Sequence, residues 1–253
     1  MNEAIFYHWF VIAWMAVAAV TFVALFFVTA PYGRFTRSGW GPRINARWGW
    51  ILMETPVLVT FVALFGLGDR KMHPVYLTLL VFWLAHYVHR SLIYPFRLRS
   101  GRPSITVPVI IMGALFNVGN GYLNGRYLFT LGPELPISWL VDPRFLGGGI
   151  LFWCGYVLNQ HSDRVLINLR SPGETTYKIP HGGAYRFVSC PNYLGEILEW
   201  GGWALACWNM GALAFFVWTV ANLAPRALKT HRWYKDHFPD YPEDRKALLP
   251  FLV

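Results

Sequence analysis

Three carboxylates lie inside stretches of sequence that are otherwise apolar. Glu54 interrupts one such run, and Glu196 and Glu199 lie near the start of another. Placing a charged side chain at the centre of a bilayer costs at least about 2.5–3.5 kcal/mol, so such groups normally face a cavity or a partner. Pro56, which follows Glu54, favours a kinked helix of the kind found beside cavities. A protonated Glu54 that only joins two helices is the structural alternative, but the acids together favour a functional site.

A second polar group interrupts the apolar run that contains His86-Tyr-Val-His-Arg90. Tyr87, Arg90, Ser91 and Tyr94 would share one helix face, because residues three, four and seven positions apart are neighbours on a helix. A tyrosine hydroxyl beside a glutamic acid could donate hydrogen bonds to a substrate oxygen within the membrane. The eight histidines of the chain are dispersed along the sequence, so no metal site is predicted.

A third group of residues has the chemistry of a nucleotide-binding surface. Asn159, Asp163 and Arg170 are spaced to fall on one helical stripe, if the helix continues that far. Amide, carboxylate and guanidinium groups suit a ligand that carries ribose, amide and phosphate. A solvated helix at the membrane interface would show the same pattern, and the spacing alone does not choose between them. No Gly-x-Gly-x-x-Gly motif follows a predicted strand, so a Rossmann domain is not expected.

The last apolar run with acids begins at a predicted helix start. Asn192 is a suitable N-cap residue for this helix. Glu196, Glu199 and Trp200 would then lie in its first turns, where the helix dipole favours carboxylates. Two acids beside a tryptophan at membrane depth favour a pocket over simple capping.

The composition predicts an all-α, polytopic membrane protein built as a single domain. Of 253 residues, 55% are hydrophobic and 14% are charged, whereas soluble domains carry about 25% charged residues. The first apolar run lacks a cleavage site and is interpreted as a retained helix. Glycines at 119–125 and 147–149 predict close helix–helix approach. Seven transmembrane helices are predicted, at about residues 5–30, 48–66, 75–94, 104–127, 145–159, 192–207 and 211–228.

The net charge of +9 is concentrated in alternate loops and in the C-terminal tail. By the positive-inside rule, the N-terminus is expected outside and the C-terminus in the cytoplasm. The charge is interpreted as contact with anionic lipid or an anionic cofactor, and no nucleic-acid partner is expected. Residues 161–191 and 226–253 form two long cytoplasmic pieces that could cap a cofactor pocket.

These residues together resemble the steroid 5α-reductase family, the 3-oxo-5α-steroid 4-dehydrogenases. The resemblance covers most of the chain and rests on short motifs that are individually weak but specific in combination. They are His86-Tyr-Val-His-Arg90, Gly101-Arg-Pro103, Gly119-Asn-Gly121, Asn159, His161-Ser-Asp163, Leu169-Arg-x-Pro-Gly-Glu174, Tyr177, Ile179-Pro180, Gly182-Gly183, Asn192-Tyr-Leu-Gly-Glu196, Glu199-Trp200, Arg226-Ala227, Tyr234, Asp240-Tyr-Pro242 and Arg245-Lys-Ala-Leu-Leu-Pro-Phe251.

The resemblance implies a seven-helix membrane enzyme that uses NADPH to reduce the C4–C5 double bond of a 3-oxo-Δ4 steroid. Glu54 and Tyr87 would bind the 3-keto oxygen, and Met53, Glu199 and Trp200 would line the substrate pocket. Met53 stands where the family commonly has glutamine, which could alter substrate choice. The implied cofactor-binding residues are Arg34, Asn159, Asp163, Arg170, Tyr177, Lys178, Asn192, Glu196, Arg226, His231 and Tyr234.

The resemblance also implies an organisation and a setting. Residues 1–103 would form the substrate-side helices and residues 104–253 the cofactor-binding part. The expected partners are a steroid or steroid-like lipid and the membrane lipid itself, with no obligate protein partner. A bacterial member in the inner membrane is expected, or the endoplasmic reticulum if the source is eukaryotic.

Other classes of protein remain as alternatives at this point. A related ene-reductase acting on an enoyl-CoA or polyprenol lipid would keep NADPH and change the substrate. An isoprenylcysteine methyltransferase-like enzyme would bind S-adenosylmethionine and would lack the Glu54 and Tyr87 pairing. A lipid-binding or transport protein would not need the stripe that begins at Asn159.

Overall fold

The computed structural model describes residues 2–37, 39–98, 104–171, 173–174 and 176–252. The Gly101-Arg-Pro103 motif and Pro172 of the Leu169–Glu174 motif lie outside the described residues. The helices are α1 Glu3–Phe27, α2 Ala46–Leu67, α3 Pro74–Val88, α4 Tyr94–Arg97, α5 Val107–Arg126, α6 Pro143–Asn168, α7 Pro191–Cys207 and α8 Met210–His237. A π-turn, His89–Ile93, joins α3 to α4, and another, Tyr127–Leu131, follows α5.

The non-helical structure is small. Strands β1 Arg43–Ile44 and β2 Ile105–Thr106 pair antiparallel, with Arg43 opposite Thr106. Short 3-10 turns occupy Gly33–Phe35, Ile137–Val141 and Gly183–Arg186. The chain is thus mostly helical, as predicted, with one two-stranded ribbon that the sequence reasoning did not foresee.

The seven predicted spans each correspond to one of the long helices α1, α2, α3, α5, α6, α7 and α8. Three of these, α1, α2 and α8, are long and apolar enough to cross a membrane by length and composition. Of the other four, α3 with 15 residues and α7 with 17 are shorter, and α5 and α6 carry more polar residues.

Two predicted boundaries were wrong. The fifth span was expected to end at Asn159, but α6 continues to Asn168. The seventh was expected to end near Leu228, but α8 continues to His237. The physical reason is that hydropathy marks the edge of the lipid and not the end of a helix. With 26 residues, α6 is about 39 Å long, whereas the hydrocarbon core of a bilayer is about 30 Å thick.

Helices α6 and α7 pack with their backbones in direct contact. Gly148 and Gly155 on α6 face Gly195 and Gly202 on α7, so small residues repeat every seven positions on both helices. A methyl group on Gly195 would lie 2.5 Å from the backbone nitrogen of Asn159. Small residues at membrane helix interfaces permit this approach. The close approach predicted for 147–149 is confirmed at Gly148, and the approach predicted for 119–125 is confirmed at Gly121, which packs on α2.

The core is a stack of aromatic rings between α2, α3, α7 and α8. Phe61 stacks on Trp83 with ring centroids 4.2 Å apart, and Trp83 lies 5.0 Å from Trp203. Trp200 and Phe215 continue the stack with a separation of 4.3 Å. Such pairs contribute about 0.5–1.5 kcal/mol each beyond area burial. This stack fixes α3 and α7 against each other directly beside Tyr87.

Candidate active site

The two predicted catalytic side chains are held by one face of α5. The side-chain amide of Asn117 donates to Glu54 Oε2 at 3.3 Å and to the Met53 carbonyl at 2.7 Å. The amide of Asn120 donates to the Tyr87 hydroxyl at 3.4 Å. Asn117 and Asn120 are neighbours on the helix surface, since they lie three positions apart. The structure therefore brings Glu54 of α2 and Tyr87 of α3 to the same side of α5.

The asparagines belong to a buried polar stripe that continues along α5. Asn124 donates to Asn120 Oδ1 at 3.0 Å and accepts from Trp203 Nε1 at 2.8 Å. Sequence reasoning missed this stripe and treated the region only as a packing surface. The signal was present, since asparagines at 117, 120 and 124 fall on one helical face within an apolar helix.

Met53 contributes bulk to the site. Its side chain lies directly over Gly113 of α5, where a methyl group on that glycine would overlap Met53 Cγ. The thioether therefore fills the groove between α2 and α5 beside Glu54. A glutamine here would bring an amide with both donors and an acceptor, whereas methionine offers an apolar and adaptable contact.

Glu199 and Trp200 lie on α7, on the side of that helix that faces Tyr87 and His86. Glu199 is fully buried, and its Oε1 lies 2.8 Å from His86 Nδ1. The Trp200 ring is 4.6 Å from the His86 ring and 5.5 Å from the Tyr87 ring. Sequence reasoning did not pair His86 with Glu199, because 113 residues separate them. The pair fixes α3 to α7 at the level of Tyr87.

A continuous polar chain links the π-turn that follows α3 to α6 and α7. Asn159 donates to the Asn192 carbonyl at 3.0 Å, and the Asn192 amide donates to Asp163 Oδ1 at 3.2 Å. The guanidinium of Arg90 then bridges Asp163 Oδ2 at 3.2 Å and Glu196 Oε2 at 3.8 Å. Sequence reasoning placed Arg90 on the Tyr87 face but gave it no role.

The predicted N-cap was wrong. Helix α7 begins at Pro191, and Cys190 precedes it as the cap residue. In the described part of the chain, no side chain makes a capping hydrogen bond to it. Asn192 lies in the first turn and turns toward Asp163, because the carboxylate offers its amide a charged acceptor. The helix dipole acts most strongly in the first turn of a helix, and Glu196 and Glu199 lie beyond that turn.

The predicted stripe is shorter than expected. Asn159 and Asp163 lie on α6, but the helix ends at Asn168, so Arg170 is no longer on its face. The chain turns there, and the Arg170 guanidinium instead lies 4.9 Å from the Tyr177 ring. Arg170 thereby joins a separate group of arginines and aromatic rings near the basic end of α8.

This second group is built around Arg34. Its guanidinium lies 5.1, 4.7 and 4.4 Å from the rings of Tyr177, Trp233 and Tyr234, and it donates to the Tyr234 hydroxyl at 3.1 Å. Cation–π contacts contribute about 0.5–2 kcal/mol each. The loop between α1 and α2 is thereby held against α8.

Arg226 of α8 also contacts the loop between α1 and α2. Its Nε donates to the Tyr193 hydroxyl at 3.1 Å, and its Nη2 donates to the Tyr32 carbonyl at 3.0 Å. Gly33 adopts a positive φ of 61°, and a methyl group there would lie 3.2 Å from Arg226 Nη2. The Nη1 atoms of Arg34 and Arg226 are both buried and have no hydrogen-bond partner among the residues that the structure describes. Buried donors are rarely left unpaired, so these two suit the oxygens of an anionic ligand such as a phosphate.

His231 and Lys178 contact other parts of the protein. His231 Nδ1 lies 2.6 Å from Ser189 Oγ, which in turn lies 2.6 Å from the Tyr241 hydroxyl. This link holds the C-terminal tail against α8. Lys178 pairs with Glu174 at 2.8 Å on the surface.

The part of the chain that the structure describes shows no group of three His, Cys, Asp or Glu side chains arranged to hold a metal ion. Cys154, Cys190 and Cys207 are free thiols. Proton donors, carboxylates and unpaired arginine donors are therefore the chemistry that these residues offer.

The chain is similar to known proteins over most of its length. The family model described as 3-oxo-5-alpha-steroid 4-dehydrogenase matches residues 103–253. The chain is 39% identical to "Steroid 5-alpha-reductase DET2" of Gossypium hirsutum over 99% of both chains. It is 43% identical to "3-oxo-5-alpha-steroid 4-dehydrogenase 1" of Bos taurus over 94% of this chain and 93% of the relative. The human protein of the same name is 41% identical over 87% of this chain and 85% of the relative. The chain therefore belongs to the 3-oxo-5-alpha-steroid 4-dehydrogenase family, and the resemblance seen in its motifs is confirmed.

Proposed function

We propose that this chain reduces the C4–C5 double bond of 3-oxo-Δ4 steroids with NADPH and releases 5α-reduced 3-oxo steroids. One observation carries the proposal: Asn117 and Asn120 hold Glu54 and Tyr87 on the same face of α5. The names of the relatives describe 5α-reductases and the corresponding dehydrogenases. Membership of an oxidoreductase family supports the same reaction type.

The protein's part of the reaction is to polarise the enone. A protonated Glu54 and the Tyr87 hydroxyl donate hydrogen bonds to the 3-keto oxygen. Bound NADPH supplies the hydride, which is added at C5. As the π electrons of the C4–C5 bond move toward the carbonyl, negative charge develops on that oxygen. Donors that are already aimed at a developing charge lower the barrier by about 3–4 kcal/mol each. A proton delivered to C4, by water or by a side chain, completes the reduction.

The unpaired buried donors of Arg34 and Arg226 support the choice of a phosphate-bearing cofactor. In this proposal Arg34, Arg170 and Arg226 bind the phosphates, together with the surface residue Lys178. The polar chain on α6 and α7 binds the ribose and amide groups through Asn159, Asp163, Asn192 and Glu196. The rings of Tyr177 and Tyr234 flank the cofactor, and His231 supports that end of α8.

The proposed setting follows the charge distribution. All seven long helices cross the membrane, the N-terminus lies outside and the C-terminus lies in the cytoplasm. Residues 1–103 supply the substrate side and residues 104–253 the cofactor side, although α2 packs along α5 and α1 along α8. The proposed location is a bacterial inner membrane, with the endoplasmic reticulum as the alternative. The substrate enters from the lipid, and no obligate protein partner or nucleic acid is involved.

A second substrate class is favoured by one observation. Met53 places an apolar thioether beside Glu54, over Gly113, where the family commonly has glutamine. Fewer polar contacts beside the carbonyl site suit a more flexible α,β-unsaturated carbonyl lipid, such as an enoyl-CoA or the aldehyde form of a polyprenol. The same two donors and the same cofactor would act on it.

Product analysis tests the proposal. Purified protein in detergent is incubated with progesterone and NADPH that carries deuterium at the transferable position. We expect 5α-dihydroprogesterone with the label at C5, and a rate of product formation that is lower by about 100-fold or more in Glu54→Gln. The aldehyde form of a polyprenol and an enoyl-CoA, which both carry a conjugated carbonyl, are run in parallel to separate the two substrate classes. If no enone is reduced while the protein is folded and binds NADPH, the proposed function is wrong.

A further inference from the structure

Arg90 lies at a break in the regular geometry of the third long helix. The π-turn His89–Ile93 contains it and joins α3 to α4. π-turns insert an extra residue into a helix and are frequent at functional sites. Tyr87, which we place at the substrate carbonyl, lies three residues before Arg90. This short segment therefore connects the proposed substrate site at Tyr87 to the residues that Arg90 contacts.

The two Nη atoms of Arg90 contact carboxylates on two different helices. Nη1 lies 3.2 Å from Asp163 of α6, and Nη2 lies 3.8 Å from Glu196 of α7. The guanidinium plane is held by aromatic rings, at 4.5 Å from Trp50 and 5.1 Å from Tyr94. The side chain is 17% exposed, and those of Asp163 and Glu196 are 9% and 20% exposed. Arg90 and Glu196 are therefore partly buried, and Asp163 is buried beside them.

We infer that Arg90 is a positioning residue for the cofactor: it orients Asp163 and Glu196 so that their carboxylates can accept hydrogen bonds from a bound dinucleotide. The inference rests on the proposed function, because it deepens the account of that same site. The Asp163 carboxylate is fixed from two directions, by Arg90 at Oδ2 and by Asn192 at Oδ1. Without Arg90 the two partly buried carboxylates would lose their shared counter-charge.

The geometry requires arginine and would not be reproduced by lysine. A guanidinium has separate Nη groups that can serve two acceptors while its flat face packs on rings. A lysine ammonium is a single point and cannot do both. The same reasoning distinguishes positioning from simple charge balance, because Arg90→Lys keeps the charge and removes the bridge.

The test is a direct titration of purified protein with NADPH, followed by cofactor fluorescence in the absence of steroid. We expect Arg90→Met to weaken NADPH binding about 10–100-fold, the size of effect that hydrogen bonds to charged groups produce. Arg90→Lys should bind with intermediate affinity. In turnover assays the KM for NADPH should rise while the KM for progesterone stays close to that of the wild type. The double variant Arg90→Met/Asp163→Asn should lose less NADPH affinity than the sum of the losses in the two single variants, because it lacks both members of the Arg90–Asp163 ion pair.

Arg126→Met is the matched control. Arg126 is also an ion-paired arginine at the end of a long helix, and it bonds Glu3 at 2.7 and 2.8 Å. The Arg126→Met variant should bind NADPH with the affinity of the wild type. If Arg90→Met and Arg90→Lys both remain active and bind NADPH with wild-type affinity, the inference about Arg90 is wrong, while the proposed function stands. An equal rise in both KM values, with strict additivity to Asp163→Asn, would also overturn the inference, since that is the behaviour of a purely structural residue. A wild-type protein that reduces no enone would instead refute the proposed function.

Discussion

Replacing Gly195 by alanine is the sharpest available perturbation of the contact between α6 and α7. The added methyl group would lie 2.5 Å from the backbone nitrogen and 2.9 Å from the Cα of Asn159, and 2.8 Å from the carbonyl oxygen of Gly155. All three neighbours are backbone atoms, so no side chain can rotate away. Ordinary contact begins at 3.4 Å, so the two helices must separate locally by about 0.9 Å.

This separation acts directly on the polar chain. The bonds from Asn159 to Asn192 and from Asn192 to Asp163 are 3.0 and 3.2 Å long, and a shift of that size takes both beyond hydrogen-bond range. Overpacking costs about 1–3 kcal/mol, while alanine regains up to about 1 kcal/mol of helix propensity. We therefore expect a modest loss of stability. The loss of activity should be large, about 100-fold, because a displacement of about 1 Å is enough for that.

The assay combines NADPH titration, progesterone turnover and the unfolding temperature in detergent. Gly147→Ala is the matched control, because Gly147 lies on the same helix pair. Within 4 Å, the single described atom that its methyl group would meet is Leu205 Cδ2, at 3.8 Å. The control should keep both activity and stability. Wild-type turnover in Gly195→Ala, or equal losses in both variants, would refute the reasoning.

Three further predictions follow from the site. Glu54→Gln should lower turnover about 100-fold or more while NADPH binding is unchanged. Turnover and NADPH titration of the variant, compared with those of the wild type, check this. Full activity in the variant would exclude a donor role for Glu54. Arg226→Lys should weaken NADPH binding about tenfold, since Nε and Nη2 serve two partners at once; a titration that matches the wild type would contradict it. The Lys178 ammonium holds the pKa of Glu174 at about 2, below its ordinary value of 4.5. Stabilisation by this pair is thus present above pH 4.5 and lost as the pH falls toward 2, so the difference in unfolding temperature between wild type and Lys178→Met should shrink over that range, and a constant difference would be evidence against the pair.

The sequence signal for the candidate site was strongest where it was local. Glu54 was singled out because a carboxylate in an apolar run has few explanations, and the structure places its carboxyl in a partly buried hydrogen bond with Asn117. The long helices were predicted for the same reason, since an apolar run specifies a helix through its own composition. Where α6 and α8 end was not predictable, because those ends depend on contacts made after the helices leave the lipid.

The amino-acid sequence by itself determined the helical character of the chain, its unusual buried acids and its family. Only the tertiary structure decided which polar groups meet. Arg90 and Asp163 are 73 residues apart, and His86 and Glu199 are 113 apart. The spacing of residues along a helix predicts neighbours only within one or two turns. Contacts between helices depend instead on how closely the backbones approach, and here the glycines of α6 and α7 set that distance.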